Sequence, residues 1–412
     1  MKLYKLIFML MAAIAVTACS DDDIAPTQQE QQELKEGEAL LQVNLSVNGS
    51  NATRTAAALD GEDYINGIGI LVFDSNGDRI VYKTKFQNGK PADQQYTLKV
   101  PRGQGYKVVA IANCGVTISS ILKYDDIANL KVDLEMTLYN EYGLFPDPEG
   151  VLPPAHIAPE KQSYQTTKSI PMIGETTIDV LPEKDTDITR VDLPVTRMVA
   201  RVSLSQIAID FPEFTRDNYP VQIGLGIYSS ALQNATRYSS MEFDPTKQPV
   251  TSDYLSGMNY DGDIGTYWLH DTYPSTGGYS SFYEIENGIA TNWMRDGGHP
   301  PYYYTFPNSS KDKPTKLVIR AQYIYQPTNT ADKYYAIYYY PIVINTGEVT
   351  DKDGKVTQGD GIVRRNMVYD LKVTLKGPGN DRPDDTFDGN VEVNLTTAPW
   401  GDVINHDAEI NL

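Results

Sequence analysis

The chain is short of the residue types that most often carry chemistry. It has two cysteines and four histidines in 412 residues. Two cysteines cannot make a disulfide framework, although secreted proteins often rely on one. His156, His270, His299 and His406 each stand alone in loop-like sequence. Metalloprotease, serine-hydrolase, dithiol and phosphate-loop signatures (HExxH, GxSxG, CxxC, GxxxxGK) are missing. Basic residues are also scarce, 35 against 54 acidic ones, for a net charge of −19. That balance argues against binding nucleic acid or an anionic lipid surface by electrostatics. No segment beyond the N-terminus is apolar enough to cross a membrane as a helix. What is abundant is tyrosine (29) and proline (25). Tyrosine suits half-buried pleated surfaces, and proline punctuates between strands. The composition is that of a folded β-rich chain, long enough for two or three cores.

The first residues form a targeting segment: "MKLYK" supplies positive charge, and "LIFMLMAAIAV" is a short apolar run. "VTAC" follows and resembles the lipobox of bacterial lipoproteins, in which the cysteine, here Cys19, is lipidated and becomes the first residue. The next four residues, "SDDD", resemble the surface-export signal of Bacteroidetes lipoproteins. Several acyl chains on one cysteine hold a protein stably to a membrane, whereas one chain holds it marginally. The other cysteine, Cys114, sits in the apolar run "YKVVAIANCGV" and reads as a core residue.

From Ile24 to Glu38 the chain is rich in Gln and Glu, a solvated tether. Then Leu41, Val43, Leu45 and Val47 alternate with polar residues, the period of a half-buried strand. "SNATRTAAALDGED" after it reads as an exposed loop carrying Arg54 and Thr55. "INGIGILVFDSNGDRIVYKTKF" predicts a hairpin turning at Asp74–Asp78. "YTLKVPRGQGYKVVAIANC" predicts a second strand pair turning at Pro101–Gly105, and Ile118–Met136 a short helix. A composition break at Pro182–Asp187 precedes one long strand, "ITRVDLPVTRMVARVSLSQIAIDF", read as the start of a second domain. Asn234–Lys311 is crowded with Gly, Tyr, Ser and Trp and lacks periodicity, so it reads as long loops. Strands resume from Thr315, with a hairpin tip at "TGEVTDKDGKVTQGD". Near the terminus Ala408, Ile410 and Leu412 alternate again.

Sites for small ligands are weakly indicated. Carboxylates are plentiful, but no spacing selects a glycosidase pair, and the chain is read as a non-enzyme without cofactor or metal. "DSNGD" and "DKDG" echo the start of a calcium loop but lack its closing Glu and flanking helices, so they read as hairpin turns. Tyr267, Trp268, Trp293 and Tyr302–Tyr304 offer aromatic faces that could stack on sugar rings; the alternative is loops packed by their own rings.

The order of these features resembles the fimbrillin superfamily of Bacteroidales, the subunits of type V pili. The carriers are the lipobox, the tether, the alternating strand, the exposed arginine and "GILVFDSNG". "IPMIGE" with "VDLPVTRMVARVSL", then "RRNMVYDLKVTLKGPG" with an isolated "PW", complete the match. The resemblance implies an all-β chain of two transthyretin-like β-sandwich domains in tandem, with a few short helices in loops. It implies a signal peptide at 1–18, a lipidated propeptide at 19–54, and domains at 55–187 and 188–412. It further implies a precursor anchored in the outer membrane by a lipid (palmitate) on Cys19 and cut between Arg54 and Thr55 by an Arg-specific protease. The strand carrying Leu41, Val43, Leu45 and Val47 would be removed. Both chain ends alternate suitably for a donor strand; the C-terminal one, with Ala408, Ile410 and Leu412, is taken as the donor. The partners implied are other copies or related pilin subunits in a head-to-tail polymer, and a host or bacterial surface receptor, with no nucleic acid. The function expected is a cell-surface pilus subunit serving adhesion or biofilm formation. The alternatives are a pilus tip or accessory adhesin, and a surface glycan-binding lipoprotein.

Overall fold

The computed structural model describes residues 34–48, 59, 61–86, 95–134, 169–182, 187–216, 218–244, 247, 254, 268–272, 283–286, 288–289, 302–382 and 390–400. It is nearly all β, as expected. Among the described residues the helices are two short 3₁₀ turns, Ile118–Ser120 and Tyr124–Asn129, which replace the short helix expected there. No described helix is long and apolar enough to cross a membrane.

The first sheet is built from β1 (Glu38–Val47), β2 (Gly67–Phe73), β3 (Arg79–Phe86), β4 (Gln95–Pro101), β5 (Gly103–Ala112), β7 (Met172–Val180) and β8 (Ile188–Arg197). Their order is β3-β2-β5-β7-β8-β1-β4. β7 and β8 share only two register pairs, Met172↔Arg197 and Ile173↔Thr196. The sheet is therefore hinged into two halves, β3-β2-β5-β7 and β8-β1-β4. Lys83 of β3 reaches across to donate to the Thr97 carbonyl of β4 (3.2 Å), so the two outer edges approach each other. Apolar side chains of both halves, among them Leu41, Val43, Ile70, Phe73, Val108 and Leu193, belong to one core cluster. Cys114 is buried in it, and burial pushes its thiol far above the ordinary range.

The expected first hairpin is β2–β3. The Asp74 carboxylate accepts the Asn76 and Asp78 amides, and Gly77 takes the positive φ the turn demands. Asp351 accepts the Asp353 and Lys355 amides in the same way. Both calcium-like strings are thus turns whose carboxylates serve their own backbone. The expected second strand pair is not a pair: β4 bonds to β1, while β5 bonds to β2 and β7. At Pro101–Gly103 the chain steps from one half of the sheet to the other. A proline that cannot donate to a ladder suits that corner.

The long strand read from Ile188 to Phe211 is two strands. β8 lies in the first sheet, and after the buried pair Met198–Val199 the chain enters β9 (Ala200–Ile209) of another sheet. A short ladder joins β6 (Lys131–Asp133) to β12 (Tyr238–Ser240). A second sheet runs β10-β11-β17-β18, from Phe214–Arg216, Tyr219–Gln233, Lys316–Pro327 and Tyr334–Val343; β13 (Trp268–Thr272) and β14 (Tyr283–Glu286) also pair with β11. The third runs β15-β9-β21-β22-β19-β20, with β15 at Gly288–Ile289, β19 at Glu348–Asp351, β20 at Val356–Gln358, β21 at Met367–Leu375 and β22 at Val391–Pro399. β16 (Tyr302–Thr305) pairs with β9 beside this path. Side chains from all three sheets join the same core cluster.

Gly174 marks a close approach at the hinge: a Cβ there would collide with the Pro194 carbonyl of β8. Gly174→Ala is expected to destabilise the fold by about 1–3 kcal/mol, the range of an overpacked site, measured by urea denaturation.

Candidate functional site: the first strand and the Glu62 cluster

β1 lies inside its sheet. It pairs antiparallel with β4 over seven register positions and parallel with β8 over eight. Leu41, Val43, Leu45 and Val47, singled out by their alternation, are all at most 4 % exposed. Leu40 and Gln42, on the opposite face, are buried as well. The strand is thus more enclosed than a half-buried reading predicted, because neighbours flank it on both sides. Where it ends, Asn48 donates its amide to the Val195 carbonyl and its side chain to Thr196 Oγ1.

The chain re-enters the described structure at Leu59, beside a buried ionic cluster. Glu62 and Arg201 are each 3 % exposed at the side chain, and Arg201 Nη1 contacts both Glu62 carboxylate oxygens at 2.7 and 2.8 Å. The Tyr304 hydroxyl donates to Oε1 (2.7 Å) and Trp400 Nε1 to Oε2 (3.1 Å). The Leu59 amide donates to Oε2 (3.0 Å). Tyr304 stacks on Trp400, and the guanidinium groups of Arg197 and Arg201 stand 5.0 and 5.5 Å from a Trp400 ring centre. Arg197 Nε donates to the Glu62 carbonyl (3.0 Å), and its Nη1 to the Asn48 carbonyl (2.8 Å).

The electrostatics follow from burial. Desolvation is the largest influence on Arg201 and works against its charge, but Glu62, Tyr304 and Asp370 together outweigh it and hold the guanidinium above its ordinary range. Arg197 donates to main-chain carbonyls, and burial brings its guanidinium down to about 10 against the opposing pull of Glu62 and Asp63. Burial, then the Glu62 charge, pushes the Tyr304 phenol well up. The cluster ties four segments together: the start of the 59–66 stretch, β8–β9, β16 and the residue after β22. It contains no nucleophile set against a base.

Cys19, Arg54, Thr55, Ala408, Ile410, Leu412, Tyr267 and Trp293 lie outside the described residues. Trp268 is placed only by its backbone, opposite Gln233. Tyr303 and Tyr304, offered as sugar-stacking residues, are buried, with Tyr303 bonded to Ser230 Oγ (2.6 Å). Glu62, Arg197 and Arg201 were not foreseen. Arginines alternating within two apolar strands were the available signal.

A family description, "Major fimbrial subunit protein (FimA)", matches residues 39–144. The chain is 22 % identical over 419 residues to the major fimbrium subunit FimA type-2 of Porphyromonas gingivalis, covering 97 % of this chain and 98 % of the relative. The chain is thus similar over nearly its whole length to major fimbrial subunits, and residues 39–144 carry the family match. Its fold matches that of other solved chains. A cell adhesion protein of Parabacteroides distasonis aligns with a TM-score of 0.53 at 15 % identity, over 88 % of this chain and 99 % of that one. A fimbrilin of Porphyromonas gingivalis gives 0.51 at 15 % identity, over 89 % and 98 %. The relatives it matches in sequence are named as major fimbrium subunits.

Replacing Glu62 strands a buried guanidinium. Glu62→Ala is expected to cost about 3–5 kcal/mol, against about 1 kcal/mol for Trp400→Phe, which removes one indole donor. Urea midpoints of the two variants check the order.

Proposed function

We propose that this chain is a structural subunit of a cell-surface fimbria, polymerised by strand exchange after a proteolytic cut and serving adhesion or biofilm formation. The observation that carries the reading is the place of β1: an interior strand, near the N-terminus, followed at once by a ten-residue segment, 49–58, that contains Arg54. A cut between Arg54 and Thr55 would leave β1 held by non-covalent contacts alone.

Loss of β1 would open two unpaired edges, β8 and β4, and an apolar groove between them. Filling that groove with an extended segment of another copy restores both ladders, a mode of recognition that β-rich proteins use widely. Burying four Leu or Val side chains in it contributes on the order of 6–12 kcal/mol before entropy. Each subunit that accepts a strand and donates one adds a head-to-tail contact that does not close, which produces a fibre. While β1 is in place the groove is full, so assembly waits on the cut. The donor is the C-terminal segment with Ala408, Ile410 and Leu412.

The remainder of the reading concerns the precursor. Residues 1–18 are its signal peptide, Cys19 its lipid attachment in the outer membrane, and 19–54 the part released. An Arg-specific protease is then the partner that starts assembly, and related pilins are the partners that complete it. The rest of the chain, 55–187 and 188–412, makes the two β-sandwich units.

Purified precursor treated with an Arg-specific protease should give filaments by electron microscopy and a ladder on an unboiled SDS gel. Arg54→Ala should abolish both. Deleting residues 403–412 should stop polymerisation and leave a folded monomer. Filaments from the truncated chain would reassign the donor. A cut subunit that stays monomeric and shifts on a polysaccharide gel would replace the pilin reading with a glycan-binding lipoprotein.

A further inference from the structure

Arg197 bonds the two sides of the 49–58 segment at once. Its Nη1 donates to the Asn48 carbonyl, at the end of the strand that the cut would release, and its Nε to the Glu62 carbonyl, in the part that would stay. We propose that Arg197 is the end anchor of the groove: it holds a main-chain carbonyl of whichever extended segment fills the place of β1, first Asn48 and, after exchange, a residue of a second copy of this chain. The proposal rests on the strand-exchange reading above.

Three observations carry it. First, the guanidinium is 3 % exposed, and a buried donor that loses its acceptor also lacks water to replace it. When β1 leaves, Nη1 loses the Asn48 carbonyl while Nε keeps Glu62, so the position of the vacated donor is fixed by the part that remains. Its place over the Trp400 ring, 5.0 Å from the centre, further limits its swing.

Second, the anchor does not depend on which side chains fill the groove. The inward residues of β1 are Ala39, Leu41, Val43, Leu45 and Val47, a nearly uniform series. A slip of one residue would turn the apolar set to the wrong face and is excluded by burial. A slip of two keeps the apolar face inward and exchanges Leu for Val, which apolar packing resists only weakly. That same slip moves every carbonyl by about 7 Å along the strand and so brings the carbonyl two residues away to the place of the Asn48 carbonyl. A donor at one fixed end therefore finds an acceptor on any extended segment, whatever its side chains.

Third, the polar partners around it are specific to this end. The Asn48 amide meets Val195, and its side chain meets Thr196, both within two residues of Arg197. Farther along the strand, the polar side-chain contact from β1 to β8 is Asn44 to Asp192, which is exposed. Both involve a charged partner, but the Arg197 bond is inside the fold, where water does not replace a lost acceptor, and the Asn44 bond is open to solvent.

The test uses the full chain cut by an Arg-specific protease, with two labelled peptides spanning Glu38–Gly49. One is all-amide. In the other an ester replaces the amide between Asn48 and Gly49, which weakens the Asn48 carbonyl as an acceptor without changing a side chain. The ester peptide is expected to fill the groove of the wild-type subunit about fivefold to tenfold less tightly. In Arg197→Met that ratio should fall to within about twofold, as a coupling cycle requires. Equal affinities of the two peptides for the wild type would overturn the anchor while leaving strand exchange standing. A ratio unchanged in Arg197→Met would also overturn it. Failure of the all-amide peptide to enter the cut subunit would overturn strand exchange itself, and the anchor with it. If Arg197→Met does not fold, the wild-type pair of affinities decides the matter.

Discussion

A carboxylate buried as deeply as that of Glu62 must receive from the protein everything that water would have given it. It receives a guanidinium from Arg201, a phenol from Tyr304, an indole N–H from Trp400 and a backbone amide from Leu59. These donors come from widely separated parts of the chain, so the ion can be satisfied only when all of those parts are in place. Desolvation makes an unpaired buried charge expensive, and a fully paired one specifies geometry more than it adds stability. The cluster thereby fixes the passage from the first sheet to the third, and through Arg197 it holds the end of β1 at Asn48.

On the strand-exchange reading, that placement explains how an interior strand could also be detachable. β1 owes its burial to flanking strands and an apolar face, interactions that any alternating segment can reproduce. The charged cluster, by contrast, belongs entirely to residues downstream of Arg54. On that reading the fold separates a generic part, which another chain would replace, from an idiosyncratic part, which would stay. Arg197 stands at the boundary, with one bond to each.

Much of this was legible in the sequence. The alternation of Leu41 to Val47 predicted a strand, and Asp74–Asp78 predicted its turn, because both signals are local: a side-chain period of two, and a glycine that tolerates positive φ. Pairing was less legible. "YTLKVPRGQGYKVVAIANC" has the look of a hairpin, yet β4 and β5 seek different neighbours, and nothing within the segment records which. The run from Ile188 to Phe211 reads as one strand since Met198 and Val199 are as apolar as their surroundings; only the sheets on either side show the break. Glu62 was illegible for a related reason. An isolated acid in "DGEDY" resembles any solvated loop acid until the arginine, tyrosine and tryptophan that meet it are brought from 139, 242 and 338 residues away.

The mixed pairing of β1 has a consequence in time. Leu40 lies beside Lys99 on one side and Ile188 on the other. As the chain emerges from its N-terminus, the antiparallel neighbour is made well before the parallel one, and β8 arrives 148 residues after the strand it must flank. Contacts so distant in sequence close slowly, since the intervening loop must be ordered before they form. The first strand to be synthesised is therefore among the last to be sealed. Until β8 is in place, one whole edge of β1 is open to any extended segment nearby, so this topology gives good reason to keep nascent copies apart until each has closed upon itself.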